Sequence, residues 1–141
     1  MIVERDAYAP GGAEALAFTV LWGRDAPEAG RREIAGRVAP WLPAYRAFAL
    51  KLLTTEVVTN AVQHGVAAPD AAIRVEVVVE CSRVRVEVTN TGPAVTACAA
   101  VPAVTSTTGR GLLLVDALAD SWGVRHEVGQ TTVWFEIPVA A

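Results

Sequence analysis

The sequence predicts an α/β protein: a two-layer α/β sandwich with a mixed, mostly antiparallel sheet and helices on one face. Three observations carry that expectation. A stretch of helical apolar period runs from about Ala44 to His64 and is closed by Gly65. Two alternating segments, "AAIRVEVVVE" and "SRVRVEVTN", follow it across a short "CS" link. A last alternating segment, "TTVWFEIPV", returns from "GVRHEV" across "GQ". Long apolar helices combined with antiparallel hairpins leave one sheet face for the helices to cover.

The elements follow in order. Residues 1–14, with "APGG" near their end, read as an N-terminal arm, and residues 15–141 as one domain. "ALAFTVLWG" (Ala15–Gly23) is an apolar run ending in glycine and suits a strand. Asp25 precedes Ala26-Pro27-Glu28, an acidic cap with early proline and early glutamate, so a helix starts there and stops near Pro40 or Pro43. In the helix over 44–64, Phe48, Leu52, Val57 or Val58, and Ala61 form the expected apolar stripe, and Gly65 the stop. In the next segments Ile73, Val75, Val77 and Val79, then Val84, Val86 and Val88, alternate with mainly charged residues, which predicts a half-buried hairpin. "NTGPAVTACAAVPAVTSTTGRG" reads as a loop, "GLLLVDALADSWG" as a short amphipathic helix ended by Gly123, and the last two segments as a closing hairpin.

Bulk properties narrow the function. A chain of 141 residues, 52% hydrophobic and 19% charged, has the composition and length of one globular domain with its own core. The net charge is −3 and there is no basic block, so neither nucleic acid nor an anionic membrane has electrostatic support as a partner. The N-terminal stretch "MIVERDAYAPGG" lacks the apolar centre of a signal peptide, and no apolar run reaches bilayer length, so a cytoplasmic protein is expected. Cys81 and Cys98 have no histidine at metal-ligand spacing and read as reduced, packed thiols.

Three polar patterns stand out. Glu56, Asn60 and His64 are four residues apart, which stacks them on one helical line at steps of about 6 Å. Asn90, Thr91, Gly92 and Pro93 end a strand, where glycine permits close approach of a flat ligand. Gly109, Arg110 and Gly111 open a helix after a hydroxyl-rich stretch, where free N–H groups attract phosphate. Singly, each has an ordinary explanation: an exposed helical ridge, a strand-to-loop turn, a glycine-rich helix start. In this order they outline a nucleotide site. The chain lacks both the Walker lysine motif and a G-x-G-x-x-G after a strand.

"TTEVVTNAVQHG", "GRGLLLVDALADSWGV" and "TTVWFEIP" resemble motifs of the histidine-kinase-like ATPase superfamily, which includes gyrase and heat-shock chaperone ATPases. Within it the chain is most similar to small actinobacterial ATP-binding regulators of the anti-sigma-factor serine kinase type. The resemblance covers about residues 15 to 139. It implies a Bergerat-type sandwich binding ATP and Mg²⁺ under a lid of roughly residues 94–108. Asn60 would be the Mg²⁺ ligand and Glu56 the general base toward an attacking hydroxyl. Gly109, Arg110, Gly111 and Leu112 would cradle the phosphates. Asn90, Gly92 and Thr132 would hold the adenine, and His64 would be mainly structural. The implied function is phosphorylation of a serine or threonine of an anti-sigma-factor antagonist, together with sequestering of a sigma factor. Homodimers occur in such families.

The sequence departs from the family in one box. Where the family reads Asp-x-Gly-x-Gly, this chain reads Asn90-Thr91-Gly92-Pro93-Ala94. The Asn90 carbonyl can still accept from the adenine amino group, but without charge. The difference is about 1 kcal/mol, or about tenfold in affinity, so Asn90→Asp is expected to tighten binding. Ala94 stiffens the lid hinge. The alternative function is therefore a nucleotide-impaired protein-binding module of the same fold.

Overall fold

The computed structural model describes residues 2–4, 14–64, 72–91, 110–127 and 129–139. Strand β1 (Ile2–Glu4) and strand β2 (Glu14–Leu21) precede helix α1 (Ala26–Arg37), a short 3₁₀ turn (Ala39–Trp41) and helix α2 (Ala44–His64). Strands β3 (Ala72–Val79) and β4 (Arg83–Thr91), helix α3 (Arg110–Leu118), and strands β5 (Ser121–Glu127) and β6 (Gln130–Pro138) complete the described chain. The six strands form one sheet in the order β1-β2-β3-β4-β6-β5. Every pairing is antiparallel, so the parallel component of the expected mixed sheet is absent among the described residues. The reason lies in the connections. Between β2 and β3 the chain forms α1 and α2, and β3 then lies beside β2 with Leu21 opposite Ala72.

Alternation sorts the sheet into two faces. Ile73, Val75 and Val77 on β3, Val84, Val86 and Val88 on β4, and Phe135 and Ile137 on β6 are buried under the helices. They meet Ile34 of α1, Leu50, Leu53, Val57 and Val58 of α2, and Val115 of α3 in one core. Each such fully buried side chain contributes about 1.5–3 kcal/mol of transfer free energy. Helix α2 packs against both other helices and reaches β4 and β6.

The other sheet face carries paired charge. Arg74 bonds Glu76 at 3.1 Å, Arg85 bonds Glu87 at 2.9 Å, and Arg125 bonds both Glu127 and Glu87 at 2.9 Å. The Arg85 guanidinium also stacks 4.1 Å over Trp134. Burial alone would raise the Glu87 carboxyl, but the hydrogen bonds from Arg85 and Arg125 outweigh it and hold the group below its ordinary value.

Several expectations change. Ile2–Glu4, within the segment read as an arm, pairs with β2 as an edge strand. The α2 stripe holds in its second half, where Val57, Val58 and Ala61 are buried, but shifts in its first half: Phe48 is 65% exposed and Leu52 half-buried, while Ala47, Leu50, Leu53 and Thr54 are buried. Gly123 does not end α3. That helix stops at Leu118, and Gly123 lies inside β5 opposite Trp134, where a Cβ would sit 2.8 Å from the indole. Asp25 precedes α1 as expected, but its side chain makes no capping bond. Cys81 is exposed rather than packed, and Cys98 lies outside the described residues. No described helix is long and apolar enough to cross a membrane.

Candidate functional site

At one end of the sheet the register lines up Val20, Ile73, Asn90, Thr131 and His126 across five strands. Alternation puts all five on the helix-covered face, in phase with Val88 and Phe135. The C-terminal end of α2 reaches this row. Asn90 Nδ2 donates to the Ala61 carbonyl at 3.3 Å. A carbonyl can only accept, so this bond fixes which half of the amide faces the helix. Asn90 Oδ1 is thereby turned away from Ala61, and it is buried with no hydrogen-bond partner.

The residue before Ala61 is Asn60, only 5% exposed, and its Nδ2 is also buried without a partner. An unmade hydrogen bond at a buried polar atom costs about 1–3 kcal/mol. Two such atoms are an acceptor on Asn90 and a donor on Asn60, the residue before the one whose carbonyl Asn90 meets. Buried polar atoms left unpaired in this way are points where a ligand could supply the partner.

Glu56 lies one turn before Asn60 on α2 and is half-buried. Among the described residues the ion pairs run along α1 and over the outer sheet face, and Glu56 belongs to none of them. Arg110, Gly111 and Leu112 form the first turn of α3, whose N–H groups have no intrahelical acceptor. Gly92, Gly109 and the expected lid, residues 94–108, lie outside the described residues.

Thr132 is placed differently from the expectation. It is buried, but on the outer face, where its hydroxyl is 2.8 Å from that of Thr89 and Arg125 lies opposite. It therefore does not face Asn90. Its neighbour Thr131 does, and the Thr131 hydroxyl is 3.2 Å from His126 Nδ1. Thr131 and His126 are the residues that sequence reasoning missed. The signal was available: Val133, Phe135 and Ile137 set the inward phase of β6, and Thr131 continues it.

A family model described as the histidine kinase-like ATPase domain matches residues 27–137, well over half of the chain. The chain belongs to that family. Comparison with curated proteins gives no match. The match takes in α2, the row from Ile73 to His126, and all of α3, so those parts of the candidate site lie inside it. The residues present fit a nucleotide with a divalent cation. The unpaired Asn90 oxygen suits an exocyclic amino group, Asn60 is buried on the end of α2 that Asn90 meets, and the first-turn N–H groups of α3 have no intrahelical acceptor. When bound, Mg²⁺ would neutralise phosphate charge at the Asn60 amide oxygen. No group of three or more His, Cys, Asp or Glu residues at metal-binding distance occurs among the described residues.

Proposed function

We propose that this histidine kinase-like ATPase domain binds Mg-ATP and acts as a regulatory protein kinase of the anti-sigma-factor type. It transfers the γ-phosphoryl group to a serine or threonine hydroxyl of an anti-sigma-factor antagonist, and it also sequesters a sigma factor. The observation that carries the reading is Asn90. Its amide is held on the Ala61 carbonyl, which leaves a buried, unpaired oxygen that a 6-amino purine satisfies and a 6-oxo purine does not.

In the proposed reaction the acceptor hydroxyl oxygen forms the new P–O bond, the bond from the γ-phosphorus to the β,γ-bridging oxygen breaks, and ADP leaves. Glu56 takes the hydroxyl proton as general base. It is suited to this because it is a partly accessible carboxylate one helical turn from Asn60. Asn60 holds the phosphate-bound cation, and Arg110 with the first-turn N–H groups of α3 meets the phosphates.

Calorimetric titration with Mg-ATP and Mg-GTP, followed by phosphate transfer to a cognate antagonist, tests the reading. Expected are micromolar-to-submillimolar ATP binding, at least tenfold weaker GTP binding, and loss of transfer in Glu56→Ala with ATP binding kept. Transfer that survives Glu56→Ala would remove Glu56 from the base role. Absence of any nucleotide binding would leave a protein-binding module in place of a kinase.

A further inference from the structure

The Asn90–Thr131–His126 row ends on a residue that the proposed reaction does not use. His126 sits on β5, the last strand of the sheet, opposite Thr131 and on the helix-covered face. One ring nitrogen, Nδ1, is engaged with the Thr131 hydroxyl at 3.2 Å. The other, Nε2, is buried and has no partner. A half-buried histidine kept only for packing would turn its second nitrogen to water or to a protein group. Asn90 and His126, which lie in one register row at this end of the sheet, each carry a buried atom without a partner.

We infer that His126 is a base-specificity residue: with Thr131 it delivers one hydrogen-bond donor to the ring-nitrogen edge of a 6-aminopurine. The inference rests on the nucleotide reading given above. The chemistry of the pair supplies the donor in either tautomer. If the Thr131 hydroxyl donates to Nδ1, then Nε2 carries the proton and points it onward. If Nδ1 donates to Thr131, the hydroxyl hydrogen is free to point onward instead. Asn90 Oδ1, two strands away in the same row, accepts from the amino group. Adenine N1, beside that amino group, is an acceptor, whereas N1 of guanine or hypoxanthine carries a hydrogen. An acceptor at Asn90 and a donor at the Thr131–His126 pair therefore match adenine and oppose a 6-oxopurine at both points.

The test compares Mg-ATP with 1-deaza-ATP, which lacks only the N1 acceptor, in the unmodified protein, His126→Ala and Thr131→Val. The unmodified protein should bind 1-deaza-ATP about 3- to 10-fold more weakly than ATP. His126→Ala should bind ATP more weakly by a similar factor and lose the difference between the two nucleotides, because the two changes remove one interaction. His126→Gln, which places an N–H near the Nε2 position, should recover part of the ATP preference. Thermal melting without ligand checks that each variant folds, and Thr131→Val carries the same test if His126→Ala does not. Equal weakening of both nucleotides, or an ATP preference unchanged in the variants, overturns the role of His126 and leaves the site standing. If the unmodified protein binds neither nucleotide, the nucleotide reading falls and this inference falls with it.

Discussion

Ala61 lies in the last turn of α2. Asn90 donates to its backbone carbonyl from the sheet. This contact reverses an expectation drawn from the family pattern. An aspartate at position 90 would set a carboxylate oxygen against the Ala61 carbonyl, acceptor against acceptor. Asn90→Asp is therefore expected to lower stability by about 1–2 kcal/mol and to weaken ATP binding, as urea unfolding and titration would show. Tighter binding by Asn90→Asp would mean that the side chain re-orients away from the helix. Thr54 offers a second test. Its hydroxyl is fully buried and unpaired, so the near-isosteric Thr54→Val should raise stability by about 1 kcal/mol in the same urea assay. At this scale the sequence made Asn60 and Asn90 legible because amides at a helix end and a strand end are unusual in apolar surroundings. It did not reveal the bond from Asn90 to the Ala61 carbonyl, since no side-chain pattern encodes which carbonyl a distant amide meets.

Helix α2 shows how element bounds and element orientation differ in legibility. Its limits, Ala44 and His64, follow from Pro43 before it and glycine after it. Its buried face does not, because apolar residues occur on nearly every side: Phe48 is exposed, while Thr54 and Asn60 are buried. Periodicity fails where the apolar set is wider than the face that packs. Gly123 misled for a related reason. A glycine after an amphipathic run usually marks a helix end, but here it makes room for the Trp134 indole across β5 and β6. Gly123→Ala is expected to cost about 1–3 kcal/mol, read as a lower urea midpoint with an unchanged slope, because the new methyl would overlap the ring. A neutral result would show that Trp134 swings aside at little cost.

On the scale of the whole molecule, the layered architecture and strand alternation were readable because valine and charged residues alternate so regularly in β3 and β4. The pairing of β4 with β6 was not readable, because the partner comes from beyond residues 92–109. The charged outer face gives a pH prediction. The Glu87 carboxyl is depressed in the folded protein, so its stabilisation is present above the ordinary carboxylate value of 4.5 and is lost as pH falls through the lower folded value. Glu87→Gln should cost under about 1 kcal/mol at neutral pH and nothing measurable near about pH 2. Unfolding curves at the two pH values would check the sign. Nucleotide binding should act on the whole fold. Mg-ATP at a hundredfold excess over its Kd adds about 2.7 kcal/mol and raises the melting temperature by several degrees.

The bond from Trp122 Nε1 to Asp116 Oδ1, at 2.9 Å, joins β5 to the helix whose first turn is assigned to the phosphates. It also gives the protein a built-in optical probe. Indole emission depends on the charge and hydrogen bonding at its nitrogen, so a shift of α3 on the sheet would change the colour and yield of Trp122 fluorescence. With Trp22, Trp41 and Trp134 replaced by phenylalanine, a stopped-flow trace of that single emitter would time the arrival of a nucleotide without any attached dye.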